Sequence, residues 1–193
     1  MKIKYLGHAC FKVTSNDYSI VIDPYKDVNG FKDINEEANE VICSHEHLDH
    51  AYVDGVRINS TTNSPFSIKK LACYHDDVKG LKRGNNTITV LEAEGKRIAH
   101  LGDLGHELND ELRNELINLD AIMIPVGGFY TIGPEIAYKI IKELKPKHII
   151  PMHYKDGNKG LEVIKELDEF MSLLGELKTN CLLIKGYYEE IEL

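Results

Sequence analysis

A six-residue run, His45-Glu46-His47-Leu48-Asp49-His50, constrains this chain more than any other feature, because it places three imidazoles and two carboxylates together. Imidazole nitrogens and carboxylate oxygens bind zinc, iron and manganese. The run contains no thiolate, which favours a catalytic over a structural site. A solvated turn explains three closely spaced histidines poorly, and a zincin helix would need a histidine at the position of Asp49. The run therefore predicts a metal site.

The geometry of the run suggests more than one ion. Residues 41–44 form a short apolar segment, which predicts a buried strand leading into the run. On extended backbone, His45 and His47 point to the same side because they are two positions apart. We expect Leu48 to turn inward, so that the last two residues of the run face a second position nearby. One loop can therefore supply ligands to two adjacent ions.

Three more candidate ligands, His75, Asp103 and His153, follow predicted strands. Side chains on loops at strand ends can converge on a common point. We expect Asp103 to bridge two ions, because one carboxylate can offer an oxygen to each. The glycines on either side of it would allow close backbone approach to an ion.

The charge balance counts against a protein that grips nucleic acid. The chain has 23 basic and 31 acidic residues, a formal net charge of −8, whereas proteins that bind nucleic-acid backbones usually present a basic face. Bound divalent cations would make the site less negative than this sum. We therefore expect a small-molecule substrate as the partner rather than nucleic acid.

Composition also bears on location. The first eight residues lack the apolar core of a signal peptide, and no stretch is long and apolar enough to span a bilayer. Cys10, Cys43, Cys73 and Cys181 have no CxxC spacing, which favours free thiols in a reducing compartment. We therefore expect a cytoplasmic protein without membrane attachment. The sequence leaves the oligomeric state open, a homo-oligomer included.

Short strands dominate the first half of the chain, and strands alternate with helices in the second half. Strands are predicted at 2–6, 10–14, 18–22, 40–43, 56–59, 67–74, 87–92, 96–101, 121–125 and 147–152. Helices are predicted at 33–39, 107–118, 133–145 and 161–174, and a closing hairpin at 181–184 and 187–191. No repeat or long linker divides residues 1–193, so one domain is expected. This order predicts a mixed α/β (α+β) fold, a layered sandwich of sheets with outer helices.

Several motifs occur in an order that is typical of one superfamily. They are the H-x-H-x-D-H run at 45–50, Val21-Ile22-Asp23-Pro24, the Gly102-Asp103 turn and Pro151-Met152-His153-Tyr154. On these residues the chain resembles the metallo-β-lactamase-fold superfamily. Residues 7–11 and 125–131 make it most similar to the small single-domain metal-dependent hydrolases that include ascorbate phosphate lactonase. The resemblance spans nearly the whole chain and implies a four-layer αββα sandwich.

The resemblance implies two divalent metal ions, with zinc favoured and manganese or iron as alternatives. One ion would be held by His45, His47 and a mid-chain histidine, and the other by Asp49, His50 and His153, with Asp103 between them. For the mid-chain ligand, His75 fits best by order and strand context, and His100 and His106 remain alternatives.

Five further residues are expected to support the centre. Asp23 and His8 would steady the ligand loop by hydrogen bonding, which is the usual role of residues just outside the ligands. Gly127, Gly128 and Tyr130 would line the pocket.

Two cations that share a water lower its pKa toward neutrality, so that a metal-bridged hydroxide is available at physiological pH. Asp49 or Asp103 would orient this nucleophile or move its proton, which makes them the candidate catalytic residues. The first hypothesis is therefore a binuclear metal-dependent hydrolase that acts on a small anionic ester, lactone or phosphoester. A cluster of basic residues would offer positive charge near the entrance of the active site, although a solvated basic turn explains it equally well. The cluster is Lys79, Lys82 and Arg83.

Three alternatives stay open. The superfamily includes nucleases and phosphodiesterases that act on nucleic acid, against which the acidic balance counts. A non-heme di-iron redox protein is a second alternative, although the related flavodiiron proteins carry a glutamate where this chain has His47 and add a flavin domain. A non-catalytic metal-binding module is the third, and the full set of predicted ligands disfavours it.

Overall fold

The computed structural model of the protein describes residues 1–59, 63–180 and 190–193. Its strands are β1 (Lys2–Gly7), β2 (Cys10–Ser15), β3 (Tyr18–Ile22), β4 (Glu36–Ala38), β5 (Glu40–Ile42), β6 (Val56–Ile58), β7 (Ser67–Tyr74), β8 (Asn85–Ala93), β9 (Lys96–His100), β10 (Ala121–Pro125), β11 (His148–Met152) and β12 (Glu190–Glu192). Its helices are α1 (Asp110–Glu115), α2 (Pro134–Leu144) and α3 (Leu167–Leu174), with 3₁₀ segments at Val53–Gly55 and Gly175–Asn180.

Two five-stranded sheets face each other at the centre. The first has the strand order β12-β1-β2-β3-β5 and the second β11-β10-β9-β8-β7, while β4 and β6 form a separate two-stranded sheet. Side chains alternate between the two faces of a strand, and on β2 this alternation directs Phe11 and Val13 into a buried cluster with Leu91 and Met123 of the second sheet. The main core therefore lies between the sheets.

Each sheet has a different outer covering. The three helices cover the second sheet and bury apolar residues such as Leu112, Ile140 and Phe170 against it. Residues 25–34 and the two-stranded sheet cover the first sheet, with Tyr25 as a fully buried anchor. The mixed α/β layered sandwich predicted from the sequence is confirmed.

The prediction of a helix at 33–39 is wrong, because this segment contains β4, which pairs in parallel with β6. Ile34 and Ala38 are both buried and four residues apart, a spacing that is also compatible with a helix. Extended backbone instead places the Glu36 carboxylate 3.4 Å from the Nζ atoms of both Lys4 and Lys12 on the first sheet. Tertiary contacts override the local pattern here.

The helix predicted at 107–118 is shorter than expected and contains only α1. The side chain of Asn109 accepts a hydrogen bond from the backbone N–H of Leu112 at 2.8 Å, which caps the helix at that point. Leu108 is buried in the core although it precedes the helix, so the apolar spacing extended beyond the helical residues.

The helix predicted at 161–174 begins only at Leu167, the first residue of α3. The preceding segment makes strand-like contacts. The backbone N–H of Lys165 donates to the Gly127 carbonyl at 2.7 Å, and the Lys165 carbonyl accepts from the Lys155 N–H at 2.9 Å. These bonds compete with helical ones and keep the segment irregular.

The predicted closing hairpin falls mostly on residues 181–189, which lie outside the described residues, as does Cys181. The described remainder, β12, pairs antiparallel with β1. Cys10, Cys43 and Cys73 are free thiols. Of the helices that the structure describes, none combines the length and apolar character needed to cross a membrane.

Candidate metal centre

Six strands deliver the candidate residues. In the first sheet β1, β3 and β5 run in the same direction, because β2 is antiparallel to β1 and β3, and β3 is parallel to β5. In the second sheet β7, β9 and β11 likewise share one direction. The carboxyl ends of such strands lie at one edge of their sheet, where ligands commonly bind. The residues that follow these six ends are His8, Asp23, His45, His75, Asp103 and His153.

The buried carboxylate of Asp103 lies among imidazoles of both predicted ligand sets. Its Oδ1 is 3.2 Å from Nε2 of His50. Its Oδ2 is 3.2 Å from Nε2 of His75 and 3.4 Å from Nε2 of His153. The carboxylate thus lies within reach of imidazoles of both sets, which is the position that a bridging ligand requires.

The donor atoms fall into two compact groups, each with all its atoms within 4.8 Å of one another. One group is His45, His47 and His75, and the other is Asp49, His50, His153 and, in addition, His8. A third group, His45, His50 and Asp103, joins the two. Zinc–nitrogen bonds are about 2.0–2.1 Å long, so two ligands of one zinc ion lie no more than about 4 Å apart. The donor atoms of each group lie close to this spacing, and small shifts of the side chains would bring them onto one ion.

Buried atoms without hydrogen-bond partners indicate that these residues fit metal ions. Within the described ranges, such atoms include both ring nitrogens of His8 and His153, Nε2 of His45 and His50, Nδ1 of His75 and Oδ1 of Asp103. Each unsatisfied buried polar group costs about 1–3 kcal/mol, so their concentration in one place would be unfavourable without a cation. The donors are nitrogen and oxygen with no thiolate, which suits a catalytic zinc, manganese or iron site.

Asp23 ties the ligand loop to the first sheet. Its Oδ1 accepts the backbone N–H of Ser44 at 2.7 Å, and its Oδ2 accepts the Ser44 hydroxyl at 2.6 Å and lies 2.9 Å from Nδ1 of His50. The same hydroxyl is 2.9 Å from Nδ1 of His45. Because these contacts hold the Nδ1 atoms of His45 and His50, the Nε2 atoms of both rings point toward the candidate metal centre, as metal ligation requires.

Three site residues have left-handed backbone, with φ of 52° at His8, 51° at Asp23 and 52° at His153. This region is uncommon for residues other than glycine, and such strain concentrates at functional sites. The conformation turns the chain sharply where a strand ends. The His8 carbonyl accepts both the backbone N–H of His153 at 2.9 Å and the Tyr5 hydroxyl at 3.0 Å, which joins the two sheets here.

The glycines beside Asp103 have a different role from the one expected. A Cβ at Gly102 would collide with the Ser44 side chain, and one at Gly105 would collide with the backbone at His75. The glycines were expected to allow close approach to an ion. The structure shows that they allow two ligand-bearing loops to pack against the Asp103 turn.

Two supporting residues were missed by the sequence analysis. Asn86 accepts the backbone N–H of Asp103 at 3.0 Å and donates to the Leu101 carbonyl at 2.9 Å, which shapes the Asp103 turn. Ser44 was treated only as part of a strand, yet it connects Asp23 to His45. A single serine or asparagine has no spacing signal, so neither role was visible in the sequence.

The structure distinguishes among the three candidates for the mid-chain ligand. His75 is buried with Nε2 facing Asp103. His100 uses both ring nitrogens on backbone groups, 2.8 Å from the Ala9 carbonyl and 3.1 Å from the Gly102 N–H. His106 is half-buried, and its Nε2 accepts the Tyr74 N–H at 3.2 Å. The geometry therefore favours His75.

The protonation of the donors also suits metal binding. Burial lowers the pKa of His45 to about 3 and that of His8 to about 4, which favours the neutral imidazole that binds metals. The pKa of Asp103 lies well below 3.8, because the facing His153 and His50 outweigh the burial that would raise it. The pKa of His50 is raised well above 6.5 by Asp103 despite burial, so an ion that binds there displaces a proton.

A cavity of about 340 Å³ opens onto the donor atoms. It is lined by His47, Asp49, His75, Lys82, Arg83, Asp103, Tyr130, His153 and Leu161. Of the three residues predicted to line the pocket, Tyr130 does so, whereas Gly127 and Gly128 are not among the lining residues. A Cβ at Gly127 would collide with the His153 carbonyl, so this glycine serves close packing behind a ligand.

Leu48 was expected to turn inward, and this prediction is wrong, because its side chain is 53% exposed. The backbone N–H of His50 donates to the His47 carbonyl at 2.9 Å, which closes a tight turn. The turn buries His50 and points Leu48 into solvent beside the cavity.

This chain is similar to known proteins in sequence and in fold. Residues 2–153 match the family model described as a Beta-lactamase superfamily domain. A UPF0173 metal-dependent hydrolase of Thermococcus onnurineus is 29% identical over 96% of both chains, and one of Pelotomaculum thermopropionicum is 32% identical over 80% of this chain and 84% of that protein. A solved structure described as a Zn-dependent hydrolase of the metallo-β-lactamase superfamily, from Thermotoga maritima, is 34% identical, with a TM-score of 0.70, and the match covers 89% of this chain and 84% of that chain.

The assignment of His75 can be tested by metal content. We expect His75→Ala to lower the content by about one ion per chain, because it removes one of three imidazoles from a catalytic-type site. His106→Ala is the matched control and should keep the wild-type content, since His106 lies in no donor group. Elemental analysis of dialysed protein measures both. Unchanged metal in His75→Ala, or metal loss in His106→Ala, would contradict the assignment.

The role of Asp23 can be tested by metal affinity. We expect Asp23→Asn to weaken zinc binding about 10–100-fold, because it removes the carboxylate that aligns His50 and Ser44. Asp17→Asn changes an exposed carboxylate in the turn between β2 and β3 and should have no effect. Competition with a chromogenic chelator measures the affinity. Equal affinities in the two variants would mean that Asp23 does not align the ligands.

Proposed function

The chain belongs to the metallo-β-lactamase superfamily, and we propose that it is a binuclear metal-dependent hydrolase whose substrate is a small anionic ester, lactone or phosphoester. The observation that carries the proposal is the position of Asp103 between two groups of donor atoms, several of which are buried without a hydrogen-bond partner. The names of the relatives as metal-dependent hydrolases favour hydrolysis over the redox and non-catalytic alternatives. Zinc is the proposed metal, in line with the Zn-dependent description of the Thermotoga maritima neighbour.

Bound divalent cations would supply Lewis acidity and a water whose pKa lies near neutrality. The chain's own residues would determine where this chemistry takes place. His45, His47 and His75 would hold one ion, and Asp49, His50 and His153 the other, with Asp103 between them. His8 has a donor atom in the second group and lies behind Asp49, so it would fix that carboxylate in place.

Asp49 is the proposed residue for proton transfer because its carboxylate lines the cavity. Its Oδ2 lies 3.4 Å from Nε2 of His8 and 3.7 Å from Nε2 of His50. The pKa of Asp49 is below its usual value, because the contact with His8 outweighs burial. The carboxylate is therefore ionised and can orient the attacking water by accepting its hydrogen bond. Its lowered pKa makes it a weak base, so a proton that it takes up would pass readily to the leaving group.

The cavity supports a small substrate. Its volume of about 340 Å³ lies within the range of roughly 300–1,000 Å³ that is usual for small-molecule sites. Lys82 and Arg83 contribute positive charge to its wall, which favours an anionic ligand. The net charge of −8 over the whole chain favours a small molecule over nucleic acid.

Replacing the central carboxylate tests the proposal. We expect Asp103→Asn to lower kcat/KM by at least about 100-fold. The neutral amide removes the negative charge that would hold the two metal ions together at the reaction centre. The measurement is turnover of a panel of esters, lactones and phosphoesters by protein loaded with zinc.

Asp110→Asn is the matched control, since it also removes one carboxylate, from a side chain that is 95% exposed on α1. It should retain full activity, and circular dichroism should show both variants folded. Full activity in Asp103→Asn would contradict the mechanism. A wild-type protein with two ions that hydrolyses nothing in the panel, or prefers single-stranded RNA, would contradict the function.

A further inference from the structure

Buried Asp76 organises the loop that follows the ligand His75. All four of its hydrogen bonds are accepted from backbone N–H groups of this one loop. Oδ1 accepts from Val78 at 2.9 Å and Gly80 at 2.7 Å, and Oδ2 accepts from Lys82 at 2.9 Å and Arg83 at 2.8 Å. The same N–H groups lower the pKa of Asp76 to about 2 against the effect of burial. The carboxylate therefore fixes the loop from inside.

The loop is also fixed relative to the metal centre. The backbone N–H of His75 donates to the Gly84 carbonyl at 3.1 Å, so the loop ends beside the residue at which it begins. The backbone N–H of Gly105, in the Asp103 turn, donates to the Tyr74 carbonyl at 3.0 Å. Residues 76–84 therefore have a set position beside the ligand atoms.

Arg83 is the cation that this arrangement presents to the cavity. It lines the cavity together with His75 and Asp103, and its Cζ lies 5.4 Å from the centroid of the Tyr130 ring. This distance is within the range of a cation–π contact, which orients the guanidinium without neutralising it. Among residues 1–59, 63–180 and 190–193, no carboxylate forms an ion pair with Arg83.

The other cations of the loop differ from Arg83. Lys82 also lines the cavity, but its Nζ is paired with the Asp77 carboxylate at 3.2 Å, and both side chains are more than half exposed. Lys79 is exposed and is not among the residues that line the cavity. Arg83 thus combines a place in the cavity wall and a contact with the Tyr130 ring, and no carboxylate of the described residues forms an ion pair with it.

We propose that Arg83 binds a second anionic group of the substrate, a carboxylate or a phosphate that is separate from the bond broken at the metal centre. This inference rests on the proposed hydrolase function. The guanidinium presents paired N–H donors in a plane, which matches the paired oxygens of both anions. Asp76 acts as a positioning residue, since it holds the backbone of Arg83 where the side chain can reach both Tyr130 and the cavity.

The test compares two ligands that differ by one carboxylate, glutarate and butyrate, on the zinc-loaded protein. Either molecule can place one carboxylate on the ions, but only glutarate has a second for Arg83. We expect calorimetric titration to show glutarate binding at least about tenfold more tightly than butyrate, as a charge-assisted hydrogen bond allows. In Arg83→Gln this preference should fall to within about twofold.

Lys79→Gln is the matched control, because it removes one positive charge from the same loop, outside the cavity wall. It should keep the wild-type preference for glutarate. A wild-type protein without the preference, or an Arg83→Gln variant that retains it, would overturn the inference. The Arg83→Lys variant should show a preference for glutarate between those of wild type and Arg83→Gln, since an ammonium lacks the paired donors of a guanidinium.

A second pair, 3-phosphonopropionate and propionate, distinguishes the two anions. Because 3-phosphonopropionate can bind in two orientations, a crystal structure of its complex with the zinc-loaded protein identifies which group Arg83 recognises. Failure of this inference is separate from failure of the proposed function. The function fails when protein with two ions hydrolyses no ester, lactone or phosphoester, whereas the inference fails when ligand preference is independent of Arg83, whatever the turnover.

Asp76→Asn tests the positioning role. The amide nitrogen of the asparagine cannot accept hydrogen bonds from the backbone N–H groups of Lys82 and Arg83. Two of the four hydrogen bonds that hold the loop are therefore lost. We expect the preference for glutarate to fall while butyrate affinity and zinc content stay at wild-type levels. A purely structural role would change all three together, and an unchanged preference would show that Asp76 does not position Arg83.

Discussion

The contacts of the Asp103 carboxylate hold together parts of the chain that otherwise belong to different layers. Its two oxygens face His50, which comes from the first sheet, and His75 and His153, which come from the second. Burying one carboxylate among imidazoles with unpaired nitrogens is costly unless cations compensate. The stability of this edge of the sandwich and the binding of metal are therefore linked, and the ligand geometry depends on both sheets being in place.

Sequence reasoning predicts candidate ligands most directly where the spacing of residues carries the signal. The start of the run at 45–50, Asp103 and His153 all come within three residues of a strand end, so their convergence needs only the rule that strands of one direction end at one edge of a sheet. Order and strand context favoured His75 over His100 but left His100 as an alternative. The choice between the two depended on which ring nitrogens the backbone already engages, and only coordinates give that information.

The incorrect secondary-structure predictions share a physical cause, because tertiary contacts determine the local structure at these segments. The segment at 33–39 has helical apolar spacing but is extended, because Glu36 reaches two lysines of the first sheet. The segment before α3 is held by hydrogen bonds to Gly127 and Lys155, and this irregular backbone lets Leu161 reach the cavity. The left-handed backbone at His8 and His153 has no sequence signature, since neither residue is glycine.

The central claim is that one carboxylate lies between two cations, and anomalous diffraction from crystals of the zinc-loaded protein tests it most directly. Maps from data collected on the two sides of the zinc absorption edge locate each zinc ion. The account predicts two peaks, one among His45, His47 and His75 and the other among Asp49, His50 and His153, with Asp103 between them. A single peak, or peaks remote from Asp103, would contradict it.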